Sequence, residues 1–297
     1  MGNAGMEEYI VACSSQTDLQ RRSVLLVAQT VGLGNHGAMI NPTQSWFLPA
    51  ATLWWREMVR FFRQRDRVMG AFLTPVVFWL LLGLGLGKSF KSATIQDGHG
   101  YLEYFYAGSM AMILLFTAIF STVSVIEDRR EGFLQGVLVA PVGRFGLVLG
   151  KVAGGATLAL VQGWVFLALA PFAGIHLSVT SVIAMSASMF LLSFALTGLG
   201  FVIAWPMNST AGFHAILTLF LMPMWLLSGA VFPIEGAARW LGWVMRVNPL
   251  TYGVTLLRAC LGGESSPVAW LVTAGFAVVM FVLSLWLSRR TTAGDLL

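Results

Sequence analysis

Six long apolar runs, separated by shorter polar stretches, set the hydrophobic pattern of the chain. A helix of about 20 apolar residues crosses the hydrocarbon core of a bilayer, and each run approaches that length. The runs cover residues of about 69–87, 105–126, 147–170, 180–204, 213–230 and 267–287. Pro75 and Pro223 lie inside the first and fifth runs, where membrane helices tolerate proline. The pattern predicts six transmembrane helices.

A different pattern precedes the first run, over residues 46–67. Arginines recur there every three or four residues and share one face of a helix, while apolar side chains share the opposite face. A basic, aromatic helix beside a span is typical of the membrane interface. The pattern predicts an interfacial helix, although a soluble packing helix has the same periodicity. The cationic positions are Arg56, Arg60, Arg63 and Arg67, and the apolar ones are Trp54, Met58, Phe61 and Phe62.

Most of the charge in the middle of the chain lies between the second and third runs. Residues 127–131 are five consecutive charged residues, which hydrocarbon does not accept. An apolar patch from Phe133 to Ala140 follows and stops at Pro141. A short element with one wet and one apolar side fits this pattern and is suited to docking outside the membrane. An ordinary charged connector fits it equally well.

The stretch between the fifth and sixth runs, residues 232–266, is too polar and too broken for a span. Residues 235–247 predict a short helix with two tryptophans on its apolar side. Asn248 and Pro249 end this helix, because the residue before a proline disfavours helical backbone. Residues 250–261 predict a second short helix.

Composition agrees with a membrane protein. The chain has 297 residues, of which 57% are hydrophobic and 10% charged, whereas soluble domains carry about 25% charged residues. With both termini in the cytoplasm, 13 of the 18 Lys and Arg residues lie on the cytoplasmic side, which favours that orientation. Residues 1–45 contain no good span and predict a flexible cytoplasmic tail. The separate contexts of Cys13 and Cys260 predict neither a disulfide nor a metal site.

The sequence offers little catalytic or ion-coupling chemistry. The six apolar cores contain no Asp or Glu, which weighs against a proton- or sodium-coupled pump. Residues 83–89 mimic a phosphate-binding loop, but Leu82 stands where that loop requires glycine, and the chain has no Walker motif. Two other classes stay open as alternatives: a membrane enzyme that uses Asp97 and His99, and an energy-independent channel or scaffold.

Two blocks of sequence resemble the type-2 ATP-binding-cassette (ABC) exporter permeases, and they are most similar to the daunorubicin-resistance-like drug exporter branch. The first block is DRREGFL at 128–134, followed by LVAP at 138–141, Arg144 and GK at 150–151. The second block is LSGAVFP at 227–233, followed by NPLTY at 248–252 and Arg258. The resemblance extends from about residue 47 to the C terminus.

The first block resembles the cytoplasmic coupling helix on which the ATPase docks. The resemblance implies this role for Glu127, Arg130, Glu131, Gly132, Phe133, Leu134, Leu138, Pro141 and Arg144. Leu134 and Leu138 are four residues apart, so we expect them to share one face and fill an apolar socket. Glu131 is expected to offer a charge to a polar groove, and Gly132 to permit a tight backbone turn.

Smaller features complete the interpretation. The second block implies two short re-entrant outer helices around Pro233, Asn248 and Pro249. Gly83 and Gly87 fit a close helix–helix contact, either in a dimer or within the chain.

The expected architecture is an all-α polytopic membrane protein. It comprises a tail of residues 1–45 and a permease domain of residues 46–297, with six transmembrane helices, an interfacial helix, a coupling helix and the two outer helices. The resemblance implies a non-enzymatic transport subunit of an ATP-driven exporter, in the plasma (inner) membrane of a prokaryote.

The resemblance also implies partners and cargo. ATP and Mg are expected in a separate ATPase chain, with no cofactor in this chain. A second permease copy is expected to complete a homodimer in membrane lipid, and nucleic acid is not an expected partner. The implied cargo is an amphipathic drug-like or lipid-like molecule, and a lipid-linked polysaccharide or glycolipid is the alternative.

Overall fold

The computed structural model describes residues 47–63, 65–86, 101–139, 143–264 and 266–290. These residues form helices joined by short turns, without a β-strand among them. We number the helices in chain order. They are α1 (Phe47–Arg63), α2 (Arg65–Leu86), α3 (Tyr101–Ser121), α4 (Val123–Arg130), α5 (Phe133–Val139), α6 (Arg144–Leu167), α7 (Val179–Ala204), α8 (Thr210–Leu226), α9 (Arg239–Val247), α10 (Pro249–Leu261) and α11 (Pro267–Arg290).

Four helical segments are long and apolar enough to cross a membrane. They are Tyr101–Arg130, which joins α3 to α4, and the helices α6, α7 and α11. The apolar part of α2, Met69–Gly85, and the whole of α8 are shorter. A 17-residue helix is about 26 Å long, slightly less than the hydrocarbon thickness of about 30 Å. Every predicted run coincides with an apolar helix, while the count of six spans stays a prediction.

Helix α3 lies at the centre of the bundle. Sixteen of its 21 residues are buried, on all sides of the helix, as expected for a helix that is apolar all round. It packs against α2, α6 and α7. Small residues permit the close approach: a side chain at Gly155 of α6 would collide with Ser121, and one at Gly200 of α7 would press on Thr122.

The chain direction defines two ends of the bundle. Helices α3 and α7 stop, and α6 and α8 start, at residues 122–139, 143–144 and 205–209. We call this the coupling end, after the predicted coupling residues that lie there. We call residues 101–104, 168–178 and 227–264 the distal end. The loop after α8 is fixed there by two tyrosines, since Tyr101 donates to the Val231 carbonyl (3.1 Å) and Tyr104 to that of Gly229 (3.0 Å).

Two short helices lie where the sequence predicts the outer pair, while their re-entrant insertion stays a prediction. The first is a 3₁₀ turn over Ile234–Gly236 followed by α9, so its α-helix starts at Arg239 rather than at residue 235. Asn248 caps α10 by accepting from the Leu250 N–H, and Pro249 takes the first helical position. Helix α10 packs on α3, α7 and α11, so it lies among the longer helices.

The predicted close helix–helix contact is present at one of its two glycines. Gly83 of α2 lies directly against Leu102 of α3, so its close contact is made within the chain. Gly87, the predicted tail of residues 1–45, and Asp97 and His99 of the alternative enzyme hypothesis lie outside the described residues.

Thiol labelling tests the predicted orientation. In a variant with Cys13 and Cys260 replaced by serine, cysteines are introduced at Ala238 and Glu264 of the distal end and at Gly136 of the coupling end, all exposed. An impermeant thiol reagent added to intact cells should label the distal pair and reach Gly136→Cys only after permeabilisation. Labelling of Gly136→Cys in intact cells contradicts a cytoplasmic coupling end.

Candidate functional site

The charged segment after α3 folds as two short helices. A turn at Thr122 leads from α3 into α4, so the charged residues 127–130 continue the direction of the apolar helix. Gly132 then has a φ of +73°, which β-carbon-bearing residues rarely adopt, and it reverses the chain into α5. The predicted tight turn at Gly132 is therefore present. We call residues 123–139, α4 with α5, the coupling segment.

Asp128 of α4 is the centre of this site. Its side chain is fully buried and accepts hydrogen bonds from cations on two other helices. Arg56 of α1 binds both carboxylate oxygens, with Nη1 2.8 Å from Oδ2 and Nη2 2.6 Å from Oδ1. Arg60 of α1 donates to Oδ1 from 2.7 Å, and the Lys151 ammonium of α6 donates to Oδ2.

Lys151 also binds α1. Its Nζ lies 2.5 Å from Glu57 Oε1 and 3.1 Å from the Ser124 hydroxyl. The contact requires α1 and α6 to pack closely, and two glycines of α6 allow it. A β-carbon at Gly150 would lie 2.7 Å from the Ala50 carbonyl, and one at Gly154 would lie 3.0 Å from the β-carbon of Glu57.

The charges inside the site balance, while Glu131 approaches Arg60 from the exposed rim. Three cations, Arg56, Arg60 and Lys151, face three anions, Glu57, Glu127 and Asp128, and we call these six residues the charge cluster. Arg60 Nη2 lies 2.9 Å from Glu127 Oε2, an ion pair without hydrogen-bond geometry. Buried ions destabilise a fold unless they are paired and hydrogen-bonded, so this neutral arrangement is the condition for burying them.

The pKa of Arg60 follows from the same surroundings. Burial alone lowers this pKa, but the negative charges of Asp128, Glu57 and Glu127 outweigh it, so that the pKa lies above its ordinary value. Arg60 therefore keeps its positive charge inside the charge cluster.

A second connection runs from the coupling segment to the turn between α7 and α8. Arg129 Nη1 donates to Asn208 Oδ1 over 3.0 Å, and its Nη2 donates to the Trp205 carbonyl. The guanidinium also lies 5.8 Å from the centre of the Trp205 ring. Helix α4 is thus attached to α1, to α6 and to the α7–α8 turn.

Two arginines of the predicted cationic face turn into the protein, while the interfacial position of α1 stays a prediction. Arg56 and Arg60 turn inward onto Asp128 rather than towards lipid headgroups, because the buried carboxylate requires them. Arg63 is exposed, whereas Arg67 falls in α2 and its side chain is not described. The outward stripe of α1 is apolar, with exposures of 63% at Trp55 and 54% at Phe62.

The opposite face of α1 packs on α6. Met58 and Phe61 form a small buried cluster with Leu158, and Trp54 Nε1 donates to the Thr157 hydroxyl over 3.1 Å. Three of the four predicted apolar positions therefore contact protein.

One predicted docking side chain has another role. Leu134 is 1% exposed and belongs to the hydrophobic core of this chain, so the prediction that it fills a partner's socket is wrong for this conformation. The i, i+4 pattern marks a face of the helix but does not say which body that face contacts. Phe133 is also engaged, with its ring 3.8 Å below the Arg56 guanidinium.

The other predicted coupling residues differ in their surroundings. Arg130 and Glu131 are exposed at the tip of the coupling segment, with Glu131 3.7 Å from Arg60. Arg144 lies half-buried at the start of α6. The Leu138 side chain and Pro141 are not among the described parts of the structure.

Sequence reasoning missed Glu57, Asp128 and Lys151 as site residues. One signal for Lys151 was its position within the third apolar run, since an ionisable residue there needs a partner. Glu57 was an isolated anion on a basic helix. Their pairing across 94 positions of sequence is visible only in the fold.

The bundle of apolar helices, with a folded charged segment fixed to one end, is that of a polytopic membrane protein. The sequence profile of the family described as ABC-2 type transporter matches residues 50–261, more than two thirds of the chain. The chain belongs to the ABC-2 type transporter family. This family comprises permease subunits of ABC transporters, which are not themselves enzymes.

Named relatives agree with that assignment. The chain is 29% identical to Nodulation protein J of Sinorhizobium fredii, over 75% of this chain and 86% of that protein. It is 24% identical to the putative transport permease ycf38 of Cyanophora paradoxa, over 76% of this chain and 77% of the relative. The probable multidrug ABC transporter permease YbhR of Escherichia coli is 27% identical over 57% of this chain and 47% of its own length.

Removing one cation tests the charge cluster. Lys151→Met leaves two buried carboxylates with too few cations, and loss of one partner of a buried ion pair costs about 3–5 kcal/mol. Thermal unfolding in detergent, followed by a thiol-reactive dye at buried Cys260 in a Cys13→Ser background, should show a clear drop in the midpoint.

A charge-balanced double variant is the matched control. Glu57→Gln with Lys151→Met restores neutrality and should recover part of the lost stability. A double variant no more stable than Lys151→Met would contradict a stabilising role for charge balance and leave packing as the cause.

Proposed function

We propose that this chain is the permease subunit of an ATP-driven exporter, and that a separate cytoplasmic ATPase binds ATP and Mg and docks on the coupling segment. The observation that carries the proposal is the anchoring of α4 to the rest of the bundle. Its charges bind three other parts of the bundle, while the tip beyond it is exposed. An ordinary connector needs no such anchoring.

The anchoring suits the transmission of force. Through Asp128 the coupling segment is bound to α1 and α6, and through Arg129 to the turn between α7 and α8. The coupling segment also follows directly from the end of α3, the central helix. A push on the tip would therefore move several helices together, as rigid-body switching between two states requires.

The tip itself is polar. Arg130 and Glu131 are exposed, and so is Gly136, where an added β-carbon would have no atom of the described residues within 4 Å. Because Phe133 and Leu134 face inward, the docking contact is made by this polar tip and not by an apolar knob. Arg130 has no ion pair with the described residues, so its charge is available to an acidic group of the ATPase.

The proposed cargo is an amphipathic drug-like or lipid-like molecule that leaves the cytoplasm. A groove of about 430 Å³ beside α2 and α3 is lined by apolar side chains, including Trp79, Leu84 and Leu102, and would accept apolar cargo or a lipid chain. One relative is named a multidrug permease. The relatives named Nodulation protein J match over more of their length, and their name states no cargo. A lipid-linked polysaccharide or glycolipid remains the second candidate.

The proposal includes a second copy of the chain in the same membrane. The family resemblance makes six spans half of a translocator, so a homodimer completes the pathway. The prokaryotic inner membrane, with both termini inside, is the proposed location, on the charge asymmetry of the sequence.

Bulk added at the tip tests docking. Gly136→Trp has open space on this chain and should leave insertion and thermal stability unchanged, while it blocks a close-fitting ATPase. Arg130→Glu reverses the exposed cation of the tip and should weaken docking in the same way. Co-purification of a co-expressed ABC ATPase, and its ATP turnover in nanodiscs, are the measurements, with an expected loss of at least about tenfold, or 1.4 kcal/mol.

The control is Gly236→Trp, which adds the same side chain at an open position of the distal end. It should bind and stimulate the ATPase like the parent chain. Normal coupling in both tip variants, at normal expression, would refute the coupling segment as the docking site and with it the proposed mechanism.

A further inference from the structure

We propose that Arg258 of α10 binds the anionic headgroup of an amphiphile, a phosphate or a carboxylate, at the distal end of the bundle. Its basis is a cation that the bundle holds in place but does not neutralise. Binding at this residue is independent of the proposed export function.

The Arg258 side chain is half-buried and fixed between two other parts of the bundle. Its guanidinium lies 4.2 Å from the centre of the Tyr104 ring on α3. Its Nη2 donates to the Gly229 carbonyl, in the loop after α8, over 3.2 Å. A planar guanidinium that is both stacked and hydrogen-bonded is preorganised, so a ligand that arrives there has little side-chain motion to suppress.

The charge of Arg258 is not neutralised by the residues that the structure describes. The acids beside its neighbours, Glu103 of α3 and Glu264 after α10, form no ion pair with it, and its Nε is shielded from solvent without a hydrogen-bond acceptor. In the charge cluster, by contrast, every cation meets a carboxylate. A cation among membrane helices that lacks its counter-charge marks a candidate functional site.

The dipole of α10 does not supply that counter-charge. Arg258 lies in the last turn of the helix, where the partial negative charge of free carbonyls favours a cation. A side chain placed for that purpose hydrogen-bonds those carbonyls, whereas Arg258 reaches across to Tyr104 and Gly229. The helix end therefore lowers the cost of the charge and leaves the anion missing.

A ligand can reach Arg258 from one side. Thr255 and Gly262 lie three residues before it and four residues after it, so they share its face of α10, and both are exposed. The Nη1 group donates to no described residue and, unlike Nε, is not shielded from solvent. Nη1 is thus the donor left for a phosphate or carboxylate oxygen, which a guanidinium binds strongly.

The surroundings favour an amphiphile over a small anion. Helix α10 packs on α3, α7 and α11, and the first turns of α11, a short turn beyond α10, are apolar and exposed, with Val268 66% and Leu271 74% exposed. An alkyl chain attached to the headgroup would leave water on this surface, which adds a favourable contribution that an inorganic anion lacks.

Binding of dodecyl phosphate to the full chain in neutral dodecyl maltoside micelles tests the site, with bound molecules counted by native mass spectrometry. Arg258→Gln removes the charge but keeps an N–H donor for the Gly229 carbonyl. It should raise the dissociation constant of dodecyl phosphate by about tenfold, as expected for the loss of a hydrogen bond to a charged group.

Tyr104→Phe is the matched structural control. It removes the other hydrogen bond to the Gly229 carbonyl, which the Tyr104 hydroxyl donates over 3.0 Å, and keeps the aromatic ring and the charge of Arg258. It should bind dodecyl phosphate like the parent chain. Arg246→Gln, at an exposed arginine of the distal end, controls for net charge and should also bind like the parent chain.

A second pair of variants leaves Arg258 in place. Thr255→Glu adds an anion on the same exposed face, where it competes with the ligand for the guanidinium, and should weaken dodecyl phosphate binding. Thr255→Gln has nearly the same shape without the charge and should not. Because Thr255 is exposed, this pair tests the site even where Arg258→Gln does not fold.

A lipid arm separates two sources of the headgroup. The parent chain and Arg258→Gln are released from nanodiscs that mix phosphatidylglycerol and phosphatidylcholine, and the lipids retained are counted by mass spectrometry. Phosphatidylglycerol enrichment that depends on Arg258 assigns the site to membrane lipid. Equal enrichment in both chains, with dodecyl phosphate binding that depends on Arg258, assigns it to an amphiphile that is not a bilayer lipid.

Three results would overturn the proposal. The first is equal dodecyl phosphate affinity in the parent chain and Arg258→Gln. The second is an equal loss of affinity in Tyr104→Phe, which makes the fixing of the loop at Gly229, rather than the charge, the role of Arg258. The third is equal affinity in Thr255→Glu and Thr255→Gln.

Discussion

The burial of Asp128 is the constraint on which the coupling end depends. A carboxylate without solvent contact destabilises a fold unless cations and hydrogen bonds compensate it. Here the compensation comes from α1, through Arg56 and Arg60, and from α6, through Lys151. One side chain of the coupling segment therefore determines where two other helices lie, and the inward turn of α1 follows from it.

Helix packing and charge pairing depend on each other at this site. Gly150 and Gly154 let α1 approach α6, and only that approach brings Glu57 within 2.5 Å of Lys151. Conversely, Lys151 placed in an apolar helix requires the carboxylates that α1 and α4 provide. The bidentate pair of Arg56 and Asp128 also fixes the orientation of the two groups, because the planar guanidinium donates two parallel hydrogen bonds to a carboxylate.

Sequence periodicity predicted the helices better than it predicted their partners. The six apolar runs and the two short helices after the fifth run agree with the observed elements, since length and period are local properties. The inward face of α1 was not predictable in this way, because Asp128 lies 72 residues from Arg56 and the stripe of arginines is equally compatible with lipid. Leu134 illustrates the same limit: its spacing from Leu138 marks a face, and the fold turns its side chain into the core of the chain.

The two ends of the bundle are held by interactions of different kinds. At the coupling end, charges attract over several ångströms and connect α1, α4 and α6 at once. At the distal end, Tyr101, Tyr104 and Asn248 donate to single backbone carbonyls, and a neutral hydrogen bond contributes about 1 kcal/mol. The two tyrosines fix the same loop after α8, and Asn248 joins the start of α10 to α8. The coupling end is therefore held by one connected set of charges, whereas the distal end is held by single hydrogen bonds to backbone carbonyls.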